Sequence, residues 1–126
     1  MPNPEIGMLL TYLAAMADRN MDTASSYLSP DVKLVAPQGQ FDSLSQMAEA
    51  MTGRYLSIGK THDTWDISTA EERTVVVTTG TLHGVNLHGV AFAGVRFCDR
   101  FVIRSGLISE QHVWNDLAES GVLDSR

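Results

Sequence analysis

"DRFVIRSGLISEQHVWND", Asp99 to Asp116, decides the fold. Two β-rich runs flank Ser105–Gly106, a tight-turn dipeptide, so the segment reads as an antiparallel hairpin. With Arg104 joined to Leu107 by that turn, Asp99 falls opposite His112, Phe97 opposite Trp114 and Val95 opposite Asp116. Side chains alternate across a strand. One face therefore carries Val95, Phe97, Asp99, Phe101 and Ile103 together with Ile108, Glu110, His112, Trp114 and Asp116. The other carries Arg96, Cys98, Arg100, Val102 and Arg104 with Ser109, Gln111, Val113 and Asn115. The first face is apolar and aromatic and is expected to meet the core; the second is expected to meet solvent or a partner subunit. A one-residue slip of register would exchange the faces.

Upstream of this hairpin the sequence continues as sheet. "HDTWDIS" (His62 to Ser68) and "RTVVVTTGTLHG" (Arg73 to Gly84) flank the polar turn "TAEE", and the run from Val90 to Ser105 supplies the strand that enters the hairpin. The first half reads as helix. Asn3 caps and Pro4 suits the first helical position, with Ile6, Leu9, Leu10, Leu13 and Met16 at helical spacing and Tyr12 at the stripe's edge. Asn20 caps a short second helix through Tyr27 and Leu28, stopped by Pro30, and "DVKLVAP" (Asp31 to Pro37) reads as a strand. Ser43 caps a third helix whose face is Leu44, Met47, Ala48, Met51 and Tyr55, expected to end at Gly59. Helices followed by a run of strands define an α+β fold, with three N-terminal helices packed on one face of a curved sheet.

Bulk properties bound the function. A chain of 126 residues is one domain, 1–126, and 44% hydrophobic residues suffice for a core. Net charge is −6 without any Lys/Arg cluster, which argues against nucleic acid or an anionic membrane as partner. No apolar run reaches membrane-spanning length. Cys98, the single cysteine, forms no internal disulfide, and "MPNPEIGMLL" is not a secretory leader, so a cytoplasmic location is expected. "IGKTH" (Ile58 to His62) contains Gly-Lys-Thr, but Arg54 stands where a phosphate loop needs its first glycine. His83, His88 and His112 lack the tight spacing of a metal site, so no metal is assigned.

"YLAAMADRNMDTASSYLSPDV" (Tyr12 to Val32), "VAPQG" (Val35 to Gly39), "GTLHG" (Gly80 to Gly84) and the Asp99–Asp116 hairpin resemble, in order and spacing, the nuclear transport factor 2-like superfamily, in particular its SnoaL-like polyketide cyclase and ketosteroid-isomerase-like branch. The resemblance covers nearly the whole chain. It implies a cone: three helices closing a strongly curved mixed or antiparallel sheet around an apolar pocket, often in a homodimer. It also implies cofactor-free acid/base chemistry on a small apolar carbonyl-bearing metabolite by a cyclase, isomerase or dehydratase. Asp116 aligns with the last-strand aspartate of the cyclases, and Tyr12 with the oxyanion-donating tyrosine of the isomerases. Ala36 stands where the isomerases have their base, which argues against ketosteroid isomerase chemistry. Thr79 and Thr81 stand where epoxide hydrolases of this fold have an Arg-x-Asp pair.

The expected catalytic set is therefore Asp116 as acid/base, His112 oriented by Asp99, and Tyr12 as oxyanion donor. Trp114, Phe97, Phe101 and His83 are expected to line the substrate pocket. Asp116 has a competing reading as the cap of a short tail helix, with Glu119 three residues on. Two further functions stay open at this point: a non-catalytic ligand-binding or dimerisation module on the same cone, and an epoxide hydrolase using Asp116 to activate water.

Overall fold

A computed structural model describes residues 3–123. Helix α1 spans Pro4–Ala17, opened by Asn3, whose side chain accepts from the Glu5 and Ile6 amides at 2.9 and 3.2 Å. These bonds satisfy amides that have no partner within the helix. Leu9, Tyr12 and Ala15 form its buried stripe, so Tyr12 is central rather than marginal. Helix α2 is Met21–Ser25, capped by Asn20. Strands β1 (Leu28–Ala36) and β2 (Gly39–Phe41) follow, then helix α3 (Leu44–Thr52), capped by Ser43.

The third helix is shorter than its periodicity implied. Gly53 ends it, and Tyr55 already begins strand β3, which runs Tyr55–Ala70. Strands β4 (Arg73–Asn86), β5 (Ala91–Arg104) and β6 (Leu107–Asn115) complete a sheet of order β2-β1-β6-β5-β4-β3. Only β1 and β6 are parallel; the other neighbours are antiparallel. This is the mixed, helix-covered sheet of the α+β cone. Among the described residues no helix is long and apolar enough to cross a membrane.

Two devices bend the sheet. Bulges interrupt β3 between Tyr55 and Ser57 and between His62 and Thr64, and bulges increase local twist. Opposite the second lies Gly80, where an added Cβ would stand 1.9 Å from the Thr61 carbonyl oxygen. Only glycine permits that approach. The inner face then holds two apolar clusters. Leu9, Tyr12, Leu34, Met47, Val76, Phe101 and Ile108 join the helices to the sheet, while Tyr55, Leu82, Val95, Phe97, Leu117 and Val122 fill the other end. The cavity described below draws its walls from both.

Candidate active site

The turn of the last hairpin forms as its sequence implies. Ser105 and Gly106 both have positive φ, 53° and 78°, and Arg104 pairs with Leu107. Both signs match a two-residue turn of the kind that suits strand twist. The register then changes. Ile103 pairs with Ile108, but Val102 pairs with Glu110, so Ser109 is an extra residue in β6. Its hydroxyl donates to the Val102 carbonyl at 3.2 Å. Beyond this bulge every side chain of β6 faces opposite to the unbulged expectation. Asp99 lies beside Val113, and His112 beside Arg100.

The placement of the expected site residues is corrected accordingly. His112 is on the outer face, 3.0 Å from Glu110 Oε1 and stacked on Trp114 at 5.8 Å. That bond is the main cause holding the Glu110 carboxyl below its usual range. Trp114 is 52% exposed, so it walls no pocket. Asp116 accepts from Arg96 Nε at 2.7 Å in an ion pair open to solvent. It is not the predicted side-chain cap either: residues 117–123 form turns, and Asn115 Oδ1 receives the Leu117 amide at 3.2 Å. His83 is exposed and lies across Gly59, within 2.5 Å of where a Cβ there would be. Phe101 is fully buried beneath Tyr12, edge to face at 6.3 Å, and does not reach the cavity.

Inside the cone is a cavity of about 450 Å³. Leu13, Met16, Met51, Ile58, Leu82 and Phe97 supply much of its apolar wall. Its polar pole is built by adjacent rows of the inner sheet face. Lys60 and His62 are two apart on β3 and share that face. Lys60 passes over the Phe97 ring, its ammonium 4.9 Å from the centroid, and bonds to Asp99 Oδ2. Asp99 is completely buried, and its Oδ1 has no partner among the described residues. A buried carboxylate demands a cation, and Lys60 meets that demand.

His62 is held on three sides. Its ring stacks on Trp65 at 4.8 Å and meets the edge of Phe97 at 5.4 Å. Nδ1 lies 2.9 Å from Thr78 Oγ1, a fully buried hydroxyl. Among the described residues Nε2 has no hydrogen-bond partner, and His62 lines the cavity. Burial and then the neighbouring Lys60 charge lower its pKa below the ordinary 6.5, against the opposite pull of Asp99 and Asp63. The imidazole is thus neutral near pH 7.

Gln111 and Asn115, turned inward by the bulge, also line the cavity. Tyr12 donates its hydroxyl proton to Gln111 Oε1 at 2.5 Å. Burial, with a smaller effect from the Asp99 charge, raises the Tyr12 pKa, so the phenol keeps that proton. The contact orients the Gln111 amide, whose NH2 group remains for the cavity. The pole therefore offers a neutral imidazole, an ammonium and two amide side chains at the end of an apolar chamber. Among the described residues, no three His, Cys, Asp or Glu side chains gather as a metal site.

Lys60, His62, Gln111 and Asn115 were not in the expected set. The one available signal is the Lys60-x-His62 alternation, which the helical spacing of Met47, Met51 and Tyr55 masks.

A bent mixed sheet closed by helices around such a chamber is the nuclear transport factor 2-like class of cone. The chain belongs to the SnoaL-like domain family, which matches it over residues 9–111. No curated protein sequence matches it. Among solved structures it is similar to TerC co-crystallised with polyporic acid, at 19% identity and a TM-score of 0.77, covering 96% of this chain and 98% of that one. It is also similar to an NTF2-like protein from Burkholderia pseudomallei, at 15% identity and a TM-score of 0.80, covering 99% and 100%. A candidate ketosteroid isomerase from Shewanella frigidimarina shares 15% identity at a TM-score of 0.71, covering 86% and 92%.

Proposed function

We propose that the protein is an acid/base enzyme for a small apolar carbonyl compound, with His62 as the proton-transfer group. The observation that carries this reading is the His62–Lys60 pair at the pole of the cavity: a neutral base beside a cation. His62 Nε2 takes a proton from the carbon next to the ligand carbonyl, and the C–H electron pair becomes an enolate. The oxygen's negative charge meets the Lys60 ammonium and the Gln111 amide, in a water-poor setting where such contacts count most. Asp99 is a positioning residue that holds Lys60, and Tyr12 one that holds Gln111. Return of the proton at a different carbon is isomerisation. Attack of the enolate carbon on a second carbonyl is ring closure, the new alkoxide taking the proton from His62. Loss of a β-hydroxyl as water is dehydration.

The similarity to a candidate ketosteroid isomerase and to TerC co-crystallised with polyporic acid favours small-molecule chemistry. We further propose a cytoplasmic homodimer paired through the outer sheet face around Trp114, with the oligomeric state read by light scattering.

The test is deuterium exchange at the α-carbon of 2-tetralone in D2O, followed by NMR. The wild-type protein is expected to accelerate exchange over buffer, and His62→Gln to lower that acceleration by about 100-fold. Equal rates for the two proteins would remove His62 from the chemistry. A non-catalytic binding module would hold the ketone without any exchange.

A further inference from the structure

We propose that the cavity takes an anionic ligand, an apolar oxo-acid whose carboxylate rests between Arg19 and Arg54 at the end remote from Lys60 and His62. The proposal deepens the acid/base reading and rests on it only for the carbonyl end of the ligand.

The charge distribution is the first observation. The whole chain carries −6, yet the charged side chains among the residues lining the cavity are Arg19, Arg54 and Lys60, with no aspartate or glutamate among them. Lys60 has Asp99 as an ion-pair partner and belongs to the carbonyl end. Arg19, which is exposed, and Arg54, which is half-buried, line a mostly apolar chamber without an ion-pair partner among the described residues. An acidic chain that keeps carboxylates away from one concave surface makes that surface attractive to anions.

The positions are the second. Arg19 sits in the break between α1 and α2 with a left-handed φ of 57°, a conformation uncommon for a non-glycine residue. Arg54 lies between the Gly53 cap of α3 and the start of β3. Tyr55 follows it, buried and lining the cavity. Both arginine charges act on the Tyr55 hydroxyl, opposing the larger effect of its burial, so the three groups share one neighbourhood. Arginine's planar fork binds a carboxylate in two parallel hydrogen bonds.

Length follows from the strand. Lys60 lies five steps along β3 from Tyr55, about 16 Å of extended chain. Side chains reaching inward from both ends leave a ligand whose acid and carbonyl carbons lie on the order of 10 Å apart. Met16, Met51, Ile58 and Leu82 line the space between.

The test uses calorimetric titration with two probe pairs: 6-acetyl-2-naphthoate and 4′-acetylbiphenyl-4-carboxylate, each against its own methyl ester. At least one acid is expected to bind ten-fold or more tightly than its ester. The Arg19→Gln/Arg54→Gln double variant should lose that preference while keeping the ester's affinity. Arg96→Gln, on the outer face, should keep the preference, and so should His62→Gln, which separates this proposal from the catalytic one. Thermal unfolding of each variant confirms that it folds. The proposal is overturned if neither acid binds, if both esters bind as well as their acids, or if the preference survives in the double variant.

Discussion

Lys60 and Asp99 sit on strands that are not neighbours, β3 and β5, yet the lysine spans β4 across the Phe97 ring to reach the carboxylate. The lysine keeps 23% side-chain exposure; the aspartate keeps none. This bridge ties the edge strand to the middle of the sheet, and it fixes the ammonium at the cavity pole.

Breaking the bridge from the lysine side should be costly. Lys60→Met strands Asp99 as an uncompensated buried charge, a change that typically destabilises by roughly 3–5 kcal/mol. The partial exposure of Lys60 puts the expected loss at the lower end, about 3 kcal/mol by urea unfolding. The double variant Lys60→Met/Asp99→Leu removes the orphan and should recover more than half of it. A double variant no more stable than the single would show that the carboxylate was never left charged.

The lowered His62 pKa predicts the shape of a pH profile. As a base, His62 works only when neutral, so the exchange rate should rise with pH along a limb centred below 6.5. Asp99 pulls that value upward, so Asp99→Asn should move the limb to still lower pH. Stability follows the same group. Between its folded value and 6.5 the unfolded chain binds more protons than the folded one. The His62 contribution is therefore intact above 6.5 and lost as pH falls through that window. A rate limb above 6.5 would point to a different base.

Asp116 provides the opposite expectation. Its ion pair with Arg96 joins side chains 36% and 83% exposed, and such surface pairs contribute under about 1 kcal/mol. Asp116→Asn should leave exchange within two-fold of wild type and the urea midpoint nearly unmoved. A ten-fold loss of rate would return this residue to the chemistry.

How far the fold could be read depended on the scale of the signal. Helix starts announced themselves through Asn3, Asn20 and Ser43, each of which accepts a hydrogen bond from an amide in the first turn. The Ser105–Gly106 turn was equally plain. Each is a local rule satisfied within four residues. The two failures that displaced the site were not local. Met51 and Tyr55 continue a helical stripe, but Tyr55 serves the cavity from the first residue of a strand, and that concealed Lys60. The bulge at Ser109 has no side-chain signature, because an extra residue in a strand needs only somewhere to send its hydroxyl. One such residue turned His112, Trp114 and Asp116 outward and brought Gln111, Val113 and Asn115 in. Tyr12 was legible as important, but its partner Gln111 was not, for the same reason.

The bulge itself makes the last prediction. Ile108 faces the core before it, and Gln111, Val113 and Asn115 face inward after it. Deleting Ser109 should therefore yield a regular strand with those same residues still inside. The expected cost is about 1–3 kcal/mol, from lost curvature and the lost bond to the Val102 carbonyl. Without a bulge in the native strand, the same deletion would invert every side chain beyond it and abolish folding. Trp114 reports the difference. In a Trp65→Phe background its fluorescence should remain open to acrylamide quenching both before and after the deletion. Loss of quenching, or failure of the shortened chain to fold, would mean that β6 pairs with β5 in the unbulged register and that His112 faces the core after all.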